Sequence, residues 1–139
     1  MTDKDTQAIE VNRKFTEEGA DPLDAVEWIK TDVIIRNKDG SIQFEMRGVE
    51  VPKFWSEQAI TIAASKYLKR ATSINEGRGE VSIRSLIERV ADTLADEGRK
   101  QGYFKTPESG RIFRDELAYV LVNQLASFNS PVWFNCGLH

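Results

Sequence analysis

Ser130-Pro131-Val132-Trp133-Phe134-Asn135, with the Cys136 and His139 that follow, hold the residue types most able to do chemistry in this chain. A serine hydroxyl and backbone N–H groups at the mouth of a strand can bind an anion. A cysteine becomes a nucleophile only where a base or a cation lowers its pKa. His139 is the only histidine, and strand alternation would put it on the opposite face from Cys136. Cys136 is therefore read as a structural, buried thiol, the usual state of a free cysteine. One histidine and one cysteine without clustered ligands make no metal site, and no catalytic residue is assigned.

Other segments that could carry chemistry have plainer readings. Asn75-Glu76-Gly77-Arg78-Gly79 could touch a phosphate, but it lacks the Gly-Lys-Ser/Thr of a P-loop and is read as a connector. Asn37-Lys38-Asp39-Gly40 reads as a hairpin turn. Glu88, Asp92 and Asp96 form an acidic row at i,i+4 spacing on the wet face of a helix. Trp28 and Trp55 read as core anchors.

The elements that must position these residues are mainly helical. Residues 1–20 are polar and read as a mobile N-terminus. Asp21-Pro22 fits a helix start, followed by a short helix carrying Leu23, Val26 and Trp28-Ile29. Val33-Ile34-Ile35-Arg36 and Ile42-Gln43-Phe44-Glu45-Met46 read as a hairpin over residues 33–46. Ser56 caps the next helix, with Ile60, Ala63, Ala64, Tyr67 and Leu68 at helical spacing. A loop over residues 74–80 leads to a third helix, capped by Ser82, with the stripe Ile83, Leu86, Ile87, Val90, Ala91 and Leu94; Gly98 and Gly102 weaken its end. Thr106-Pro107-Glu108 opens a fourth, whose apolar face is Phe113, Leu117, Val120, Leu121 and Leu125 and which ends at Asn129-Ser130-Pro131. The division is 1–20, a helical domain over 21–128, and a strand over 129–139. An apolar, aromatic strand at a chain end with no pairing partner reads as the start of a larger structure.

Composition excludes several classes. The chain has 139 residues, 40% apolar and 29% charged, ordinary for a globular domain with its own core. A net charge of −3 gives no basic field for nucleic acid. No apolar run reaches a membrane span, and the N-terminus lacks the order of a signal peptide. A single cysteine makes a reducing cytoplasm the default location.

The motifs, taken in order, resemble the N-terminal region of the adenosylcobalamin-dependent (class II) ribonucleotide reductases. They are Val26-Glu27-Trp28 after Asp21-Pro22, Asn37-Lys38-Asp39-Gly40-Ser41 with Phe44-Glu45, and Val49-Glu50-Val51-Pro52 with Trp55-Ser56. Ile62-Ala63-Ala64-Ser65-Lys66-Tyr67 and Ser82-Ile83-Arg84-Ser85-Leu86-Ile87 follow. Arg89-Val90-Ala91-Asp92, Gly102-Tyr103-Phe104, Phe113-Arg114-Asp115-Glu116-Leu117, Leu121-Val122-Asn123-Gln124 and Phe128-Asn129-Ser130-Pro131-Val132-Trp133-Phe134-Asn135 complete the set.

The resemblance implies a mainly α chain with a small β-hairpin (α+β) that leads into the first strand of a ten-stranded α/β barrel, the rest of which lies beyond it. It implies reduction of ribonucleotides to deoxyribonucleotides by a thiyl radical, with adenosylcobalamin bound by the missing part of the enzyme. Ser130 and the backbone at Val132 would contact the substrate phosphate. The radical and redox cysteines of the family would lie beyond His139, so Cys136 receives no redox role. The implied partners are a ribonucleotide, the rest of the reductase in cis or as a complementary chain, and a thioredoxin-type reductant for the whole enzyme. The chain alone would be inactive. The alternative is a stand-alone helical interaction module derived from such a reductase, docking through the Leu86/Val90/Leu94 or Leu117/Leu121 faces.

Overall fold

The structure, a computed structural model, describes residues 7–68 and 81–137; the connector over residues 75–79 and His139 lie outside them. These residues divide into two compact units, and each has its own logic.

In the unit of residues 26–86 and 129–135, β1 (Trp28–Arg36) pairs antiparallel with β2 (Ile42–Pro52). β-Branched residues such as Thr31, Val33, Ile34 and Ile35 favour the extended backbone, and Val33, Val49 and Val51 point into the core. The turn forms at the expected Asp39-Gly40. Asn37 N–H donates to the Ser41 carbonyl at 2.8 Å, and the Asp39 carboxylate accepts from Ser41 N–H at 2.9 Å. Gly40 takes φ +89°, which a glycine adopts without a steric penalty. The hairpin outruns the expected 33–46 span, and a second feature explains how. The register slips between Thr31 and Val33, where Asp32 accepts from Gly48 N–H at 2.8 Å. This bulge re-aims the strands and lets pairing continue to Trp28 and Pro52. Trp28 and Ile29, expected in a helix, therefore belong to β1.

Ser56 caps α1 (Glu57–Ile62), its hydroxyl accepting from Ala59 N–H at 3.1 Å. The helix widens into a π-helical segment (Ala63–Tyr67), closed by Leu68 N–H on the Ala63 carbonyl at 3.1 Å. Ser65 Oγ donates to the Thr61 carbonyl at 2.7 Å, a side-chain bond of the kind that competes with the regular ladder. Ser82 caps α2 (Ile83–Lys100): its Oγ accepts from Ser85 N–H at 3.3 Å and donates to Glu50 Oε1 at 2.5 Å.

Within the segment expected to be a strand, 129–139, the described residues form a short helix, α4 (Ser130–Asn135). Its first turn closes on Asn129, whose carbonyl accepts from Val132 N–H at 3.2 Å. Pro131 suits a first helical turn, and with no strand paired to it among the described residues the backbone satisfies its own polar groups.

In the unit of residues 7–25, 87–128 and 136–137, α2 from Ile87 onward and α3 (Pro107–Val122) carry the core. Ile87, Val90, Ala91 and Ala95 are buried on α2, and Ile112, Ala118, Leu121 and Val122 on α3. Val90 is a core residue of this unit, and Leu86, which falls in the other unit, is buried as well, so neither forms the exposed docking face considered above. Gly98 does not end α2, which runs to Lys100; a Cβ at Gly98 would lie 2.5 Å from the Phe104 ring. The glycine admits that ring. Asp21 opens a turn rather than a helix: its side chain accepts from Leu23 N–H at 3.0 Å, and its carbonyl accepts from Asp24 N–H at 3.0 Å.

Thr106 caps α3, accepting from Ser109 N–H at 3.1 Å, with Pro107 at the first position as expected. The helix stops at Val122, well before Asn129. Gln124 takes φ 58°. Gln124 N–H donates to the Leu121 carbonyl at 3.2 Å, and Leu125 N–H to that of Val120 at 2.9 Å. This is a Schellman closure with glutamine where glycine is usual, and it leaves Leu125 59% exposed rather than on the apolar face.

The N-terminal segment, expected to be mobile, is tied down over residues 9–16. Ile9 N–H donates to the Tyr103 carbonyl at 2.8 Å, and Lys105 N–H to that of Ile9 at 2.7 Å. The architecture is thus mainly helical with a two-stranded hairpin.

Candidate functional site

Ser130 and Val132 both lie on α4, in the unit that also contains Tyr67. Ser130 Oγ and Tyr67 Oη lie 3.1 Å apart, each able to donate. Tyr67 closes the π-helical segment, and its ring packs against Trp133 (centroids 6.1 Å apart) and Phe134 (5.3 Å). Trp133 is buried and anchors the short helix. The widened turn therefore has a local consequence, because it ends on the tyrosine that meets Ser130. The two half-buried hydroxyls are neutral donors of the type that recognise phosphate oxygens. The Val132 amide is engaged with Asn129 in this conformation. Sequence reasoning placed Tyr67 only on an apolar helix face; its hydroxyl role carries no spacing signal, since Ser130 is distant along the chain.

Cys136 is half-buried. Burial pushes its thiol upward, against the opposing charge of Arg89, so it does not have the depressed pKa of a reactive thiolate. Arg89 Nη1 instead donates to the Cys136 carbonyl at 2.6 Å. Gly137, φ +84°, follows; a Cβ there would lie 2.6 Å from Thr93 Oγ1.

The other unit contains a charged cleft of about 660 Å³, lined by residues that include Arg13, Asp21, Asp92, Arg114 and Asp115. Most of its charges are paired within it. Arg114 bridges Asp92 at 2.7 Å and Asp21 at 3.0 Å, and Arg13 pairs with Asp115 at 2.9 Å. Burial disfavours the Arg114 charge, but the hydrogen bonds to Asp92 and Asp21 outweigh it and raise its pKa. A cleft this size, lined by paired ions, does not suit a cobalamin with its corrin ring and axial nucleotide. Among the described residues there is also no group of three or more His, Cys, Asp or Glu placed to hold a metal ion, and no helix long and apolar enough to cross a membrane.

Comparison with known proteins places this geometry in context. The family described as class II vitamin B12-dependent ribonucleotide reductase matches residues 29–124. The vitamin B12-dependent ribonucleotide reductase of Streptomyces avermitilis is 46% identical over 132 residues, covering 94% of this chain and 14% of the relative. The corresponding protein of Streptomyces coelicolor is 45% identical over 132 residues, 94% of this chain and 13% of the relative. That of Rhodopirellula baltica is 38% identical over 136 residues, 97% of this chain and 13% of the relative. The chain thus spans about one seventh of the length of these relatives. The matched residues run from the first turns of β1 pairing to the Schellman closure of α3, and they show that this chain belongs to the class II vitamin B12-dependent ribonucleotide reductase family.

Proposed function

We propose that this chain is the N-terminal part of a reductase that converts ribonucleoside di- or triphosphates to deoxyribonucleotides by a thiyl-radical mechanism. The family match over residues 29–124 is the observation that carries this reading. Adenosylcobalamin supplies the radical chemistry when bound, and residues beyond this chain hold it. The role of this part is to scaffold the barrel and to add Ser130 and the Val132 backbone to the substrate phosphate site. Support for the phosphate contact comes from the pairing of Ser130 with the Tyr67 hydroxyl at 3.1 Å. For the Val132 amide to reach a phosphate, the bond to Asn129 must open, as it does if α4 extends into a barrel strand. The remainder of the reductase, in cis or as a complementary chain, and a thioredoxin-type reductant complete the system. The chain alone has no turnover, because its single cysteine cannot supply a radical thiol and a reducing pair.

Steady-state kinetics of the full-length reductase test the site. Ser130→Ala removes a hydrogen bond to a charged group, which is worth about 1.5–3 kcal/mol, so the KM for the ribonucleotide rises roughly 10- to 100-fold. An unchanged KM and kcat would remove Ser130 from the phosphate site.

A further inference from the structure

Residues 9–16 lie against α3 through an unusual set of bonds. Backbone N–H groups outside regular structure must find partners in backbone, side chains or water. Here three of them are met by side chains of α3. Val11 N–H donates to Ser109 Oγ at 3.1 Å. Lys14 N–H and Phe15 N–H both donate to Glu116 Oε1, at 2.7 and 3.0 Å. Arg13 Nη1 reaches Asp115 at 2.9 Å and Thr16 Oγ1 at 3.1 Å, and Arg13 Nη2 lies 3.6 Å from Glu108. The Phe15 ring stacks on Tyr119 with centroids 4.9 Å apart and planes 5° from parallel.

The apolar part of this attachment is small. Ile9 is 53% exposed and Phe15 44% exposed, while Leu121 and Val122 on the same helix are at most 4% exposed. Hydrophobic stabilisation scales with area removed from water, so the segment holds by polar contacts and one ring stack, and α3 holds by its core. Attachments of this kind open locally, at a lower free energy than the unit as a whole.

We propose that residues 9–16 form a latch that docks on α3 through the Glu116 carboxylate, Arg13 and Phe15, and that opens while the α2–α3 core of its unit stays folded. Opening uncovers the Tyr119 ring face and the Ser109 hydroxyl. Glu116 is the pin, because one carboxylate holds two successive amides. Its carboxyl lies below the usual range: burial alone would raise it, and bonds from Thr16, Phe15 and Lys14 outweigh that effect. This assignment is independent of the reductase reading and of Ser130.

Native-state hydrogen exchange on the 139-residue chain tests it, read at the amides of Val11, Lys14 and Phe15 and at those of Ala118 and Leu121. In the parent chain the first three exchange roughly tenfold or more faster than the last two. Glu116→Ala speeds Lys14 and Phe15 by roughly a further tenfold and leaves Ala118 and Leu121 unchanged. Limited trypsin digestion gives a second readout, because cleavage after Arg13 and Lys14 becomes the first event in Glu116→Ala while α3 stays intact. If the two sets of amides exchange at one rate in the parent, or if Glu116→Ala shifts them equally, the segment belongs to the core and the latch is overturned. No change at Lys14 and Phe15 in the variant overturns it as well.

Discussion

Arg114 shows how single residues hold this chain in shape. Its side chain is 17% exposed and lies between Asp21, Asp92 and Asp115. Removing a partly buried cation leaves these carboxylates short of a partner; Arg114→Ala is expected to cost about 2 kcal/mol, between the values for exposed and fully buried pairs. Urea unfolding measures this as a lower midpoint at unchanged slope. Ionisation state matters at the same scale. Glu116, as described, and Glu108, through hydrogen bonding to Arg111, are held below the usual carboxylate range when folded. A folded pKa below the unfolded one stabilises above the unfolded value, about 4.3 for Glu, and that stabilisation is lost as pH falls through the folded value. Stability is therefore flat from neutral pH down to about 5 as far as these groups are concerned, and falls below about 4. Unfolding midpoints that rise as the pH is taken below 4 would contradict this.

Among the elements, the best-read features were those with local signals. Ser56, Ser82 and Thr106-Pro107 announce helix starts by chemistry confined to one turn, and Asp39-Gly40 announces the hairpin. What was not legible depends on distant partners or on a missing signal. The hairpin extends to Trp28 and Pro52 through a bulge pinned by Asp32 and Gly48, residues 16 positions apart. The attachment of residues 9–16 relies on α3 side chains about a hundred positions away. α3 ends early through a Schellman closure that has no glycine to mark it. Gln124→Gly is expected to raise stability by roughly 0.5–1 kcal/mol, since the left-handed conformation penalises residues with a Cβ. A thermal midpoint below that of the parent would refute the closure. Gly110 behaves in the opposite way. Its Cβ would meet Arg99 Nε at 2.9 Å and the Phe104 ring at 3.3 Å. Gly110→Ala gains about 1 kcal/mol of helix propensity and loses about 1–3 kcal/mol to overpacking, so it is destabilising on balance.

At the scale of the whole molecule, family membership was legible from ordered short motifs, none of which is diagnostic alone. The same reading set Ser130 and Val132 as phosphate contacts and residues 129–139 as a barrel strand. The helix at Ser130–Asn135 departs from that expectation, and strand formation here requires a neighbouring strand that backbone pairing among the described residues does not provide. Tyr67, the partner of Ser130, emerged only from the three-dimensional arrangement. The central claim is that this part of the chain is needed for a working ribonucleotide reductase. The most direct measurement is ribonucleotide turnover, with adenosylcobalamin and a dithiol, by the full-length enzyme lacking residues 1–139, with and without the 139-residue chain added back. The account predicts no turnover for the shortened enzyme and for the chain by itself, and recovery when the two are combined. Full turnover by the shortened enzyme alone would contradict it.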